Sequence, residues 1–158
     1  MGIQKIDLLS FTVFEKLSID FCEGVNIFIG ENGTGKTHLM KLIYSACKAV
    51  SPKVSFSQKI VNTFRPDDFK IGRLVNRKPG VASSTVKIHA QKNNVIKNIS
   101  INFSTKTKKW EAEVKNEESW EKEFGDLEST FIPAKEILSN SYNIVSANEK
   151  SNVEFDDK

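Results

Sequence analysis

Between Val25 and Val50 the chain changes its periodicity abruptly, and the break is made of glycine. Val25-Asn26-Ile27-Phe28-Ile29 is almost continuously apolar, the pattern of a strand covered on both faces. Leu39, Leu42, Ile43, Ala46 and Val50 recur at helical spacing, which predicts a helix from about Thr37 to Val50 with one apolar face. Ser51-Pro52 stops it, because proline disfavours a helical residue before it. The eight residues between strand and helix, Gly30-Glu31-Asn32-Gly33-Thr34-Gly35-Lys36-Thr37, read G-x-x-x-x-G-K-[ST]. A buried strand, a glycine loop and a helix in that order restrict the chain to an α/β fold with a phosphate-loop core.

The chemistry follows from the residue types. Backbone N–H groups must turn inward around a phosphate chain, and glycine allows that curvature with no side chain in the way. The helix that follows points its positive end at the same place. Lys36 supplies a point charge for the β and γ phosphates, and the Thr37 hydroxyl suits a Mg²⁺ ion. Gly30, Glu31, Asn32, Gly33, Thr34, Gly35, Lys36, Thr37 and His38 are the candidate nucleotide-binding residues, with Lys36 the candidate catalytic group and Thr37 the candidate metal ligand. His38 reads more simply as a packing or surface residue.

The rest of the chain frames this unit. Ile6 and Leu8, then Leu17, Ile19 and Phe21, alternate with polar residues, predicting a strand pair before the loop. Phe56, Ile60, Val61 and Phe64 predict a short helix ended by Arg65-Pro66, and Ile71, Leu74 and Val75 another ended by Pro79-Gly80. Three alternating segments form an antiparallel meander: Val86 to Ala90, Ile99 to Phe103, and Trp110 to Val114, with Asn93-Asn94 at the first turn. Asn116 is placed to cap a short helix carrying Glu117 and Glu118 in its first turn, with Trp120 and Phe124 one turn apart and Gly125 at its end. Thr130-Phe131-Ile132 reads as a strand, the expected parallel partner of residues 25–29. The expected organisation is one lobe over 1–140, with a helical connector at 53–80 and a β meander at 81–115, then a mobile tail over 141–158.

Charge is segregated. Residues 1–52 are neutral, 53–109 hold thirteen Lys/Arg against two Asp, and 110–158 carry a net −8. A basic middle of this kind suits a polyanion or merely solvates outward faces. Cys22 and Cys47 fit no metal spacing, and two histidines add little, so a zinc site and a thiol nucleophile are not expected. No run of about 18 apolar residues is present, which argues against a membrane-spanning helix. The first ten residues lack a signal layout, so a cytoplasmic setting is expected.

The two strands followed by "VNIFIGENGTGKTHLMKLIYSA" resemble the N-terminal lobe of ABC-type ATPases of the SMC, RecF and Rad50 kind. "TFRPDDFKIGRLVNR" and "STFIPAKEILS" bring the resemblance closer to bacterial AAA-family (AAA_15-like, OLD-related) ATPases. It implies ATP and Mg²⁺ as ligands, a second ATPase head or a C-terminal half as partner, and hydrolysis that separates paired heads. DNA repair, chromosome maintenance or phage defence are the implied settings. In that frame Phe11 and Phe14 fall near the adenine or the first-strand corner, with core packing as the simpler role, and Thr12 stands where Rad50-like relatives carry a basic residue. Lys135 and Glu136 fall where a Mg²⁺-sensing loop begins. DNA is expected to contact Lys87, Lys97, Lys106, Lys108 and Lys109, with Lys87, His89 and Lys97 on the polar face of the meander.

The family's further motifs are not found. Asp67-Asp68 and Asp156-Asp157 do not follow an apolar strand, so neither reads as a Walker B pair, and Leu138-Ser139-Asn140-Ser141 lacks the glycines of a signature motif. The expectation is about half of an ATPase head, binding ATP and turning it over poorly by itself. A non-catalytic, nucleotide-responsive interaction module is the alternative. A small-molecule kinase fits less well, since two strands precede the loop.

Overall fold

The computed structural model describes residues 2–48, 54–124 and 129–132. Strands β1 (Gly2–Phe11) and β2 (Phe14–Asp20) are followed by helices α1 (Lys36–Lys48) and α2 (Phe56–Phe64). Two 3₁₀ turns, Asp67–Phe69 and Ile71–Leu74, lead into β3 (Ser83–Lys92), β4 (Val95–Ser104), β5 (Glu113–Lys115) and α3 (Glu117–Phe124). The strands form one antiparallel sheet in the order β2-β1-β3-β4-β5. The α/β character is as expected, with the helices gathered on one face of that sheet.

Alternation explains which face. Ile6 pairs with Ile88 and Ile88 with Ile99, while Leu8 pairs with Val86 and Val86 with Ile101. All six are buried and make two apolar rows across three strands. Leu39, Leu42 and Ala46 of α1, Phe56, Ile60 and Val61 of α2, and Trp120 and Phe124 of α3 close over these rows. The Trp120 indole N–H donates to Ala46 O at 3.1 Å, so the bulkiest core side chain also satisfies its one polar atom.

Four expectations are corrected. Residues 25–29 are not a buried strand. Val25, Ile27 and Ile29 are 81%, 77% and 93% exposed, and no described strand pairs with the segment. A strand needs a neighbour for its N–H and C=O groups, and here the Asn26 side chain takes that place for Cys22, accepting from its N–H and donating to its C=O, both at 3.0 Å. Residues 129–132 are also not a strand and do not pair with 25–29. They lie against α1, where Phe131 approaches Tyr44 with ring centroids 5.9 Å apart.

The helix expected at 71–75 is a 3₁₀ turn, with Val75 bridged to Phe11. Gly72 allows this close packing: a Cβ there would stand 2.7 Å from Ser104 O and 2.9 Å from Thr105 O and Thr107 O. Finally, Asn116 does not cap α3 with its side chain, which donates instead to Asn98 Oδ1 at 3.0 Å. Its neighbour Glu117 accepts from the Phe56 N–H, so a residue of α3 caps α2 together with Ser55.

The third meander strand is shorter than its alternation suggested. Trp110 and Ala112 precede it, because Ile71 N–H donates to Lys109 O at 2.7 Å and the Ser57 hydroxyl donates to Trp110 O. Residues 133–158, including Lys135, Glu136 and the expected tail, lie outside the described residues, as does Gly125. No described helix is long and apolar enough to cross a membrane.

Candidate phosphate-binding site

The loop from Gly30 to Lys36 is shaped from inside. Thr34 Oγ1 donates to Glu31 O at 2.9 Å, and Lys36 Nζ donates to Gly30 O and Glu31 O, each at 2.7 Å. Gly33 and Gly35 take φ of 83° and 97°, angles that other residues adopt only with strain. Among the described residues, no hydrogen bond uses the N–H groups of Gly33, Thr34 or Gly35. Lys36 and Thr37 open α1, where first-turn N–H groups have no helical acceptor. Five successive unused donors, a helix N-terminus and an ammonium group therefore converge on one place, which is the chemistry of an anion receptor.

The donor set fits a phosphate chain and a divalent cation. Lys36 is held by two neutral carbonyls and by no carboxylate, so a phosphate oxygen would replace weaker acceptors with a charged one. Thr37 lies exposed at the helix start, its hydroxyl open to an ion. Asn32 is exposed at the loop tip, and Gly30 sits behind it, its missing Cβ 3.1 Å from Thr34 Oγ1.

His38 points elsewhere. Its ring stands 5.7 Å from that of Phe64 in α2, and its Nδ1 is buried without a partner. Burial, with the nearby Lys41 charge, holds its pKa below the ordinary 6.5, so it is a neutral packing residue.

The loop is buttressed by the β1–β2 turn. A Cβ on Gly35 would lie 2.4 Å from Phe14 Cζ and 2.6 Å from Val13 Cγ2. Phe14 thus packs onto the loop and borders a cleft of about 400 Å³ shared with Leu17, Ile29, Thr34 and Lys36. Phe11, by contrast, is core, edge-on to Phe64 at 5.5 Å and to Phe103 at 6.4 Å. The turn itself is clamped by residues 74–76. Thr12 N–H donates to Leu74 O at 2.7 Å, Asn76 N–H donates to Ser10 O at 2.8 Å, and the Asn76 side chain donates to Thr12 O at 2.8 Å. Sequence reasoning missed Asn76, whose partners lie 64 or more residues away.

The lysines expected to meet DNA fall in three places. Lys87 and His89 do lie on the open polar face of the sheet, which also carries acidic groups: Asp7 is 3.6 Å from both Lys5 and His89, and Lys115 is 3.4 Å from Glu113. Burial and the Lys87 charge hold His89 below its ordinary pKa. Lys97 is on the opposite face, since it pairs with Ala90 and shares its side of β4 with Ile99 and Ile101. Lys106, Lys108 and Lys109 are exposed together at the β4–β5 turn.

Asp67 and Asp68 occupy a surface 3₁₀ turn, paired with Arg73 at 3.8 Å and Lys70 at 2.7 Å. No cluster of metal-ligating side chains exists among the described residues. Burial pushes the Cys47 thiol up to about 11, which keeps it protonated and inert, and Cys22 is exposed.

Residues 5–158 match the AAA_23 family, an AAA domain. The DNA replication and repair protein RecF of Bacillus thuringiensis is 32% identical over 109 residues, which is 69% of this chain and 25% of that protein. RecF of Cytophaga hutchinsonii is 40% identical over 63 residues, 40% of this chain and 17% of that protein. The chain thus spans a quarter or less of these relatives' length. A solved structure from work on ATP-driven dimerization and DNA-stimulated activation of SMC ATPases superposes with a TM-score of 0.56 at 14% identity, covering 90% of this chain and 91% of that one.

Proposed function

The chain belongs to the AAA_23 family of AAA domains, and on that premise we propose that it is a lobe of an SMC- and RecF-like P-loop ATPase whose Gly30–Thr37 loop binds ATP with Mg²⁺. The observation that carries the proposal is the convergence of five unused backbone donors and Lys36 at the start of α1. In this reading the backbone of Gly33 to Thr37 holds the phosphate chain, and Lys36 neutralises charge on the β and γ phosphates. Thr37 offers its hydroxyl to the ion, and the ion supplies further charge neutralisation when bound. Phe14 and Val13 keep the loop from collapsing onto the sheet.

Hydrolysis requires more than these residues. No apolar strand ending in Asp-Glu is found in these 158 residues, and on this reading they bind ATP and turn it over poorly by themselves. The exposed Val25, Ile27 and Ile29 form an edge that a further part of the whole protein, or a second head, would cover. On this reading the partner is DNA, since the RecF relatives are named as DNA replication and repair proteins.

Titration of a fluorescent ATP analogue tests the binding claim. Lys36→Ala is expected to weaken binding roughly tenfold to a hundredfold, the worth of one charge-assisted contact. Thr37→Ala is expected to remove the gain that Mg²⁺ confers. Equal affinity in the wild type and Lys36→Ala would contradict the proposal.

A further inference from the structure

We propose that the end of the molecule built from residues 65–78 and 104–110 is a platform for a single strand of nucleic acid, held through its phosphates and stacked through its bases. The inference rests on the DNA-directed part of the reading above and is independent of the nucleotide loop. Three observations carry it.

The first is charge. The two segments contain eight Lys/Arg and two Asp, and the fold brings them together. Gly72 packs against the carbonyls of Ser104, Thr105 and Thr107, and Ile71 N–H donates to Lys109 O at 2.7 Å. Lys70 and Arg73 are matched by Asp68 and Asp67, and Lys78 reaches Glu15 at 3.2 Å. Arg77, Lys106, Lys108 and Lys109 have no acidic partner among the described residues. Arg77 and Lys78 line a groove of about 620 Å³ with Lys70, Arg73 and Thr105. On the sheet's polar face, by contrast, Asp7 and Glu113 pair with basic neighbours.

The second is aromatic exposure. Phe69 is 55% exposed and Trp110 40% exposed, each beside a lysine, and neither stacks on another described ring. The Ile71–Lys109 hydrogen bond lies two residues from Phe69 and one from Trp110, so the segments that carry the two rings are joined. Lys109 Nζ stands 5.9 Å from the Trp110 ring centre. Aromatic rings set among cations bind single strands, because every base has a face to stack and every nucleotide a phosphate to neutralise. A duplex hides those faces.

The third is backbone strain at the same residues. Asp68, Phe69 and Lys109 take φ of 55°, 51° and 44°, left-handed conformations that L side chains adopt at a cost. The turns hold Phe69 and the Lys109-Trp110 pair outward, where folding alone would favour burying them.

Tryptophan fluorescence of the whole chain tests this, because Trp120 is buried in the core and Trp110 alone is exposed. Added oligo(dT) is expected to quench Trp110 emission, with an affinity that falls as salt rises. Trp110→Leu removes the quench, Phe69→Ala weakens binding about fivefold to a hundredfold, and Arg77→Gln lowers the salt dependence. Lys87→Gln on the sheet face leaves binding unchanged. The Trp120 emission maximum checks that each variant is folded. A duplex that binds while oligo(dT) does not quench would sink the platform and leave a DNA-binding role standing. Heparin binding as tightly as oligo(dT) would show a phosphate-type surface with no base stacking and overturn the proposal. Absence of binding to any nucleic acid would remove the DNA reading as well, with the ATP titration unaffected.

Discussion

Strands β3 and β4 alternate apolar with polar residues, the segment 25–29 is almost continuously apolar, and they meet opposite fates. Val86, Ile88, Ile99 and Ile101 are wholly buried, whereas Val25, Ile27 and Ile29 are more than three-quarters exposed. The difference lies in their neighbours. β3 is paired along both edges, by β1 and β4, and roofed by three helices. The segment 25–29 has no strand beside it among the described residues, and of its apolar side chains Phe28 packs on a ring, that of Phe21 at 6.1 Å. Apolar sequence states a need for burial, and the surrounding chain decides whether it is met.

The largest effect should come from breaking the buried member of this pair. Ile88→Ala, which empties space in a packed layer, is expected to cost about 2–5 kcal/mol in urea unfolding. Ile27→Ala should stay within about 0.5 kcal/mol, as exposed positions do. Similar losses at both sites would mean that residues 25–29 are buried in solution.

The next contrast lies within the loop. Gly33 and Gly35 share a left-handed backbone, but only Gly35 is crowded by Val13 and Phe14. Gly33→Ala should cost about 1 kcal/mol from backbone strain, and Gly35→Ala about 1–3 kcal/mol more from overpacking. Thermal denaturation would separate them, and equal costs would show that the β1–β2 turn does not buttress the loop.

The smallest effect concerns pH. His38 and His89 are both held below their ordinary pKa in the folded chain, so the unfolded chain binds protons more readily. Stability is therefore full above about pH 6.5 and declines as pH falls below it. His38→Gln should flatten that decline by a fraction well short of the core substitution. An unchanged slope would mean that the His38 ring is solvated.

Much of this was legible in the residues. Alternation in β1, β3 and β4 identified the core face, and the glycine-lysine loop identified the candidate phosphate site, because both signals are local. The rest depended on contacts between distant residues. Nothing near Asn76 shows that it clamps Ser10 and Thr12, and nothing near Glu117 shows that it caps α2. Lys97 was misplaced although its parity with Ile99 was readable, because its charge suggested the polar face. The run at 25–29 misled for the opposite reason: its pattern was clear, but its partners are not among the described residues.

Hydrogen exchange with and without ATP and Mg²⁺ tests the central claim most directly. Slowed exchange confined to the amides of Gly33 to Thr37 is the expected result, since those N–H groups have no other acceptor among the described residues. Protection absent there, or appearing only along residues 65–78 and 104–110, would show that nucleotide meets this chain merely as a polyanion and would contradict the assignment of the loop.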